Sequence, residues 1–272
     1  LKKTPELKLL EGTENRTIFL GLDQFRDELP GAGTPGKNPL KDQRVRQALY
    51  QAIDSAGLHS RTMRNLSVPA GTMVAPMVHG WSKALDERAA KYDVEAAKKL
   101  LADAGYPQGF ALKLDCPNDR YVNDEAICQA VTAMWTRIGV KTTLQAAPMA
   151  QFVTRVMNND VSAYLFGWGV ATFDALYSLE ALMATKDGKT SAGNYNGGRF
   201  SDATLDGMIG QIKVEMDAAK RDALLAQALQ RVKDGYYYIP LHHQIRPWAM
   251  RKNVETPHRA DDRPMPTWTT IK

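Results

Sequence analysis

The chain has 272 residues, 44% hydrophobic and 24% charged, ordinary values for a globular protein that could bury a substantial core as one large domain or two small ones. No stretch of about 18 consecutive apolar residues occurs, so the sequence holds no candidate for a membrane-crossing helix. Net charge is +5, but Lys and Arg alternate with acids even in the densest cluster, Lys41-Asp42-Gln43-Arg44-Val45-Arg46. There is no RNA-binding aromatic motif or zinc-finger spacing, and no nucleic-acid partner is expected.

The opening Leu1-Lys2-Lys3-Thr4-Pro5 lacks an initiator Met and a signal peptide and reads as the start of a processed chain or an excised fragment. Ile18-Phe19-Leu20-Gly21-Leu22 is an apolar run and a predicted strand. Residues 29–39, rich in Pro and Gly, form a loop. A helix is predicted over residues 42–57, with Val45, Leu49, Ala52 and Ile53 at helical spacing. Residues 65–81 are irregular, the kind of stretch that often lines sites. A helix over 93–104 has Asp93 as N-cap, because its carboxylate can accept from free first-turn amides. Gly105 follows at the position that favours a positive φ.

Three strand–helix steps follow in order: strand 110–114 and helix 124–138, strand 140–144 and helix 149–157, strand 163–166 and helix 174–183. This alternation predicts an α/β fold, a mixed sheet with helices on its faces. Helices are expected over 201–215 and 218–233, then a strand at Tyr236-Tyr237-Tyr238-Ile239-Pro240-Leu241, then an extended tail.

Cys116 should end a strand and Cys128 lie on the next helix. Two readings stand side by side: a pair of buried free thiols, or a disulfide worth about 2–3 kcal/mol if the geometry fits.

Enzyme signatures are missing. There is no Gly-x-Ser-x-Gly elbow, no phosphate loop and no dinucleotide fingerprint, and no cofactor is expected. His242 and His243 are adjacent on a strand and so point to opposite faces. They are poorly placed to bind one metal ion, and one is expected inward and one outward.

Recognition chemistry gathers instead where α/β sheets bind ligands, at the carboxyl ends of strands. Pro117-Asn118-Asp119-Arg120-Tyr121-Val122-Asn123 offers a guanidinium able to hold a carboxylate bidentately, alongside a carboxylate, amides and a phenol. Its plainer reading is a loop in which Asp119 and Asn123 cap the next helix and Arg120 is solvated. Gly167-Trp168-Gly169-Val170-Ala171-Thr172-Phe173-Asp174 offers a flat apolar wall in Trp168, with glycines allowing close approach and Asp174 as a helix N-cap. Leu241-His242-His243-Gln244 is the third stretch. The candidate ligand-binding residues are Asp119, Arg120, Tyr121, Asn123, Trp168, Gly169, Thr172 and His243.

In order and spacing, several segments resemble the family 5 extracytoplasmic solute-binding proteins, with dipeptide-, oligopeptide-, opine- and nickel-binding members. They are Lys41-Asp42-Gln43-Arg44-Val45-Arg46-Gln47-Ala48 with Ala52-Ile53-Asp54; Tyr92-Asp93 and Ala97-Lys98-Lys99-Leu100-Leu101-Ala102-Asp103-Ala104-Gly105-Tyr106-Pro107; Ile138-Gly139-Val140-Lys141; Gly167-Trp168-Gly169; Arg221; and Ile239-Pro240-Leu241-His242. The resemblance implies a type II periplasmic-binding-protein-like lobe, the second of two. Residues 1–16 would be a linker from the first lobe, 17–254 the ligand-binding lobe, and 255–272 a tail returning towards the first.

It further implies a periplasmic monomer that captures a small peptide or similar polar solute between its lobes and delivers it to an inner-membrane ABC permease. Peptide-binding relatives often hold the ligand's amino group with an Asp four residues after the Gly of the Gly-Trp turn. Here that residue is Ala171, a departure that weakens recognition of a free N-terminus. In the same relatives an Arg matching Arg120 can contact a ligand carboxylate. Competing expectations are a metal-chelate or haem-like ligand using His242 or His243, a solute sensor, and an enzyme on the same scaffold.

Overall fold

The computed structural model describes residues 4–272. Its strands and helices, in chain order, are β1 (Leu7–Leu22), α1 (Gln43–Gln51), α2 (Ser55–Gly57), β2 (Ser67–Pro69), α3 (Lys83–Asp86), α4 (Val94–Asp103), β3 (Ala111–Pro117), α5 (Asp124–Thr136), β4 (Lys141–Ala147), α6 (Met149–Met157), β5 (Ala163–Gly169), α7 (Ala175–Ser178), α8 (Ala203–Val214), α9 (Ala218–Asp234), β6 (Tyr238–Arg251), β7 (Val254–Glu255) and β8 (Thr270–Ile271).

Six strands form one mixed sheet in the order β2-β6-β1-β5-β3-β4. β3 runs parallel to β4 and β5, and β1 runs antiparallel to β5 and β6. The strand–helix alternation from β3 to β5 produces the parallel half, because each helix carries the chain back to the end of the sheet at which the previous strand began. Sequence and structure agree on this mixed α/β class.

Each face of the sheet buries its own core. Ile18, Leu20 and Leu22 of β1 pack with α1, α4 and α5 on one side. Phe19, Phe166 and Tyr238 pack with α6, α8 and α9 on the other. Period-two alternation along β1 divides these residues between the cores. Local signals account for the helix ends: Asp93 accepts from the Ala96 amide at 2.9 Å, and Gly105 takes φ +91 just after α4.

Several boundaries differ from expectation. The helix expected over 42–57 breaks after Gln51 and resumes for one turn at α2. The strand expected at 18–22 begins at Leu7, and residues 7–13, assigned by sequence to a linker, pair with residues 245–251 of β6. The expected extended tail carries β8, which pairs with β7. Cys116 and Cys128 form a disulfide between β3 and α5.

Candidate functional site

The carboxyl ends of β3 and β5 meet an irregularity in β1. Thr13 pairs with Ile245 and Thr17 with His243, so Glu14, Asn15 and Arg16 stand opposite the single residue Gln244. Such a bulge re-aims side chains that would otherwise follow the ladder. Glu14, 2% exposed, accepts from Arg16 Nε at 2.8 Å and from Gln244 Nε2 at 2.5 Å. The Gln244 side-chain oxygen accepts from the Val122 amide at 3.2 Å, tying the bulge to the β3–α5 loop.

Tyr121 lies across this junction. Its ring sits over Gly167, where a Cβ would come within 2.7 Å of Tyr121 Cε1; glycine is what permits that approach. Its hydroxyl donates to the Gly167 carbonyl at 3.2 Å, and burial pushes the phenol pKa up. Two guanidinium groups face the same ring, Arg120 at 5.4 Å and Arg16 at 5.9 Å from its centroid. Arg16 is neutralised by Glu14. Arg120 is exposed, and among the described residues no carboxylate forms an ion pair with it. The result is a cation held over an aromatic ring and open to an incoming anion.

The other expected site residues sort differently. Asp119 Oδ1 accepts from the Met149 amide at 2.7 Å, so it caps α6 and not the helix that follows it. Asn123 has φ +57 and donates from its side chain to the Thr62 carbonyl at 3.1 Å, without capping α5. The Arg120 and Tyr121 amides are instead taken by Asp124 Oδ2. Gly169 pairs with Arg16. Thr172 Oγ1 accepts from the Asp174 amide at 3.3 Å.

Trp168 follows Gly167 and so falls on the opposite sheet face from Tyr121. It is 8% exposed and packs against Tyr177 at 5.2 Å and Tyr195 at 4.8 Å. Its indole N–H finds no partner among the described residues. Arg120 and Trp168 therefore share one end of the sheet but not one face. A hollow lined by Gln43, Met208, Gln230 and Tyr237 opens elsewhere, beside α1, α8 and α9.

The expectation for the two histidines is corrected. Neither points outward: His242 is 3% exposed and His243 0%, because β6 lies inside a sheet covered on both faces. His243, expected among the ligand-binding residues, has Thr17 Oγ1 at 3.0 Å from Nδ1 and both Asp86 oxygens at 3.1 Å from Nε2. A carboxylate only accepts, so Nε2 carries a proton toward Asp86, and the Thr17 hydroxyl, able to donate or accept, partners Nδ1. Burial lowers the His242 pKa to about 3, with His243 adding to the shift, so its ring is neutral at ordinary pH. Among the described residues, no group of three or more His, Cys, Asp or Glu is placed to hold a metal ion.

Glu14 and Arg16 escaped the sequence reading, and Gln244 entered it only as part of the third strand-end stretch. The available signal was the polar run Thr13-Glu14-Asn15-Arg16-Thr17 immediately before the apolar core of β1.

The mixed α/β sheet thus carries charged and aromatic side chains together at one end of its strands. Residues 1–190 match the family described as bacterial extracellular solute-binding proteins, family 5, middle region; the chain belongs to this family. It is 26% identical over 253 residues to heme-binding protein A of Haemophilus influenzae, covering 90% of this chain and 42% of that one. It is 26% identical over 252 residues to the oligopeptide-binding protein OppA of Lactococcus lactis subsp. lactis, covering 86% and 41%. The chain thus spans about two-fifths of the length of these relatives.

Among solved structures, a dipeptide-binding protein from Pseudoalteromonas sp. SM9913 in complex with Met-Leu superposes with a TM-score of 0.84 at 18% identity, covering 100% of this chain and 51% of that one. HbpA2 from Haemophilus parasuis gives 0.79 at 23%, with 100% and 51% covered. The fold is that of type II periplasmic binding proteins. No helix among the described residues is long and apolar enough to cross a membrane.

Proposed function

We propose that this chain is one lobe of the solute-binding component of an ABC importer, one that captures a small peptide or similar polar solute and presents it to an inner-membrane permease. The carrying observation is Arg120, exposed, without an acid partner among the described residues, and held over Tyr121 beside the Glu14–Arg16–Gln244 bulge. A solute carboxylate would pair with Arg120, and closure of a second lobe would remove that pair from water. The solute then shifts the equilibrium toward the closed form by its greater affinity for that form. In this reading the lobe takes in residues 7–254, since β1 joins its sheet from Leu7 onward, and residues 255–272 run toward its companion. The disulfide accords with an oxidising, extracytoplasmic compartment, and the relatives' names support binding without turnover.

Calorimetry on the full-length protein with di- and tripeptides tests this. Arg120→Ala should cost about 1.5–3 kcal/mol, the loss of one charged hydrogen bond, or about 10- to 150-fold in Kd. Unchanged affinity would remove Arg120 from the site. The 272-residue chain by itself should bind weakly, since half the wall is absent.

A second reading, a planar haem-like ligand, draws on the Trp168–Tyr177–Tyr195 stack and on the name of the Haemophilus influenzae relative. It would have to work without His242 and His243. A Soret shift on titration with haemin distinguishes the two.

A further inference from the structure

The turn that follows β5 carries the candidate residue Thr172, followed by Phe173, and leads into Tyr177, which stacks on Trp168. This turn is held from outside by a cluster whose members the sequence reading did not connect. His79, in the loop between β2 and α3, places Nδ1 at 3.1 Å from Asp174 Oδ2 and Nε2 at 2.8 Å from Asp222 Oδ1. Arg221, beside Asp222 on α9, donates to both oxygens of Asp174 at 2.8 and 2.9 Å. The backbones join as well: the His79 amide donates to the Phe173 carbonyl, and the Ala175 amide to the His79 carbonyl, each at 2.9 Å.

Both ring nitrogens of His79 thus face carboxylates. A neutral imidazole can donate from only one nitrogen and would turn a lone pair toward the other acid; the imidazolium donates to both. We propose that His79 is a positioning residue whose protonated ring locks residues 172–177 between the β2–α3 loop and α9, so that the order of this strand-end wall depends on pH. Its bearing on solute capture rests on the function proposed above.

The charged groups facing the ring are Asp174 from the turn and Asp222 from α9, with Arg221 acting through Asp174. The bond to Asp174 raises the His79 pKa above the ordinary 6.5, against a smaller loss from burial, and Asp222 adds to the rise. Because the folded value is the higher one, the lock is complete below pH 6.5 and is lost as pH climbs through the raised value. His79 is half exposed, with 51% of its side chain accessible, so solvent screens the effect and the change should be modest.

The test is amide hydrogen exchange on this chain without solute, expressed as protection factors at about pH 6 and about pH 8.5, either side of a raised histidine pKa. Protection at Ala175 and Leu176 should fall by about two- to fivefold across that interval, the scale of a screened ion pair. His79→Gln should lower protection and abolish the pH step. Asp222→Asn alters only an exposed carboxylate and guards against a folding defect in the histidine variant. It should move the step, and the His79 ring titration followed by NMR, to lower pH.

Equal protection at both pH values in the parent protein, or an unmoved step in Asp222→Asn, would overturn the proposal. Exchange needs no solute, so failure of trialanine to bind the full-length protein would count against solute capture alone.

Discussion

Glu14 provides the sharpest test of how the candidate site is built. Its carboxylate accepts from Arg16 at 2.8 Å and from Gln244 at 2.5 Å, and each hydrogen bond to a charged group is worth about 1.5–3 kcal/mol. The two losses in Glu14→Ala should not simply add. The Arg16 side chain is 17% exposed and can turn toward water, whereas Gln244 is 2% exposed and would leave a donor buried and unpaired. One full bond and part of another give a loss of about 2–3 kcal/mol. For a chain of this size that is a fall in Tm of about 5–10 °C.

Thermal melting followed by circular dichroism reads the shift directly. Glu14→Gln keeps an acceptor oxygen but loses the charge, and should fall between the two. A fall below about 2 °C in Glu14→Ala, well under the stated bond energies, would refute the reasoning. It would mean that the bulge is held by its backbone and not by this carboxylate.

Two further outcomes are expected. Burial raises the Asp115 pKa to about 6, outweighing the opposing charges of Arg155 and Lys113. A carboxyl raised in the folded state binds more protons there than in the unfolded chain, so stability falls as pH rises from about 4 to about 6 and then levels. Urea unfolding of the parent should show that fall, up to about 3 kcal/mol, and Asp115→Asn should lack it; an identical slope in both would exclude Asp115 as its source. Replacing Cys116 and Cys128 together by Ala should cost about 2–3 kcal/mol by freeing the loop between them in the unfolded chain. A matching drop in Tm of the parent under reductant, absent from the double variant, checks that the bond is the cause.

Much of the fold is legible in the sequence because it depends on near neighbours. Asp93 and Gly105 delimit α4 through contacts within a turn of the chain. The alternation of apolar strands with amphipathic helices specifies the parallel half of the sheet, since each apolar face must be covered. Arg120 and Tyr121 stand out on the same terms, as polar and aromatic residues directly after a strand. The short gap after Gln51 was not legible, because Ala52 and Ile53 continue the helical spacing of Val45 and Leu49.

The sequence by itself determined the α/β class, the order of its elements and the end of the sheet at which the candidate residues of the β3–α5 loop and the turn after β5 lie. Tertiary structure alone decided where each of those side chains is placed. It buried His242 and His243 by covering both sides of β6, turned Asp119 into the cap of α6, and set Trp168 and Arg120 on opposite faces. It also brought Gln244 to Glu14 across 230 residues of chain. Periodicity reports which way a side chain points from its own strand; what waits on that side is settled by segments far away along the chain, and no local pattern records their arrival.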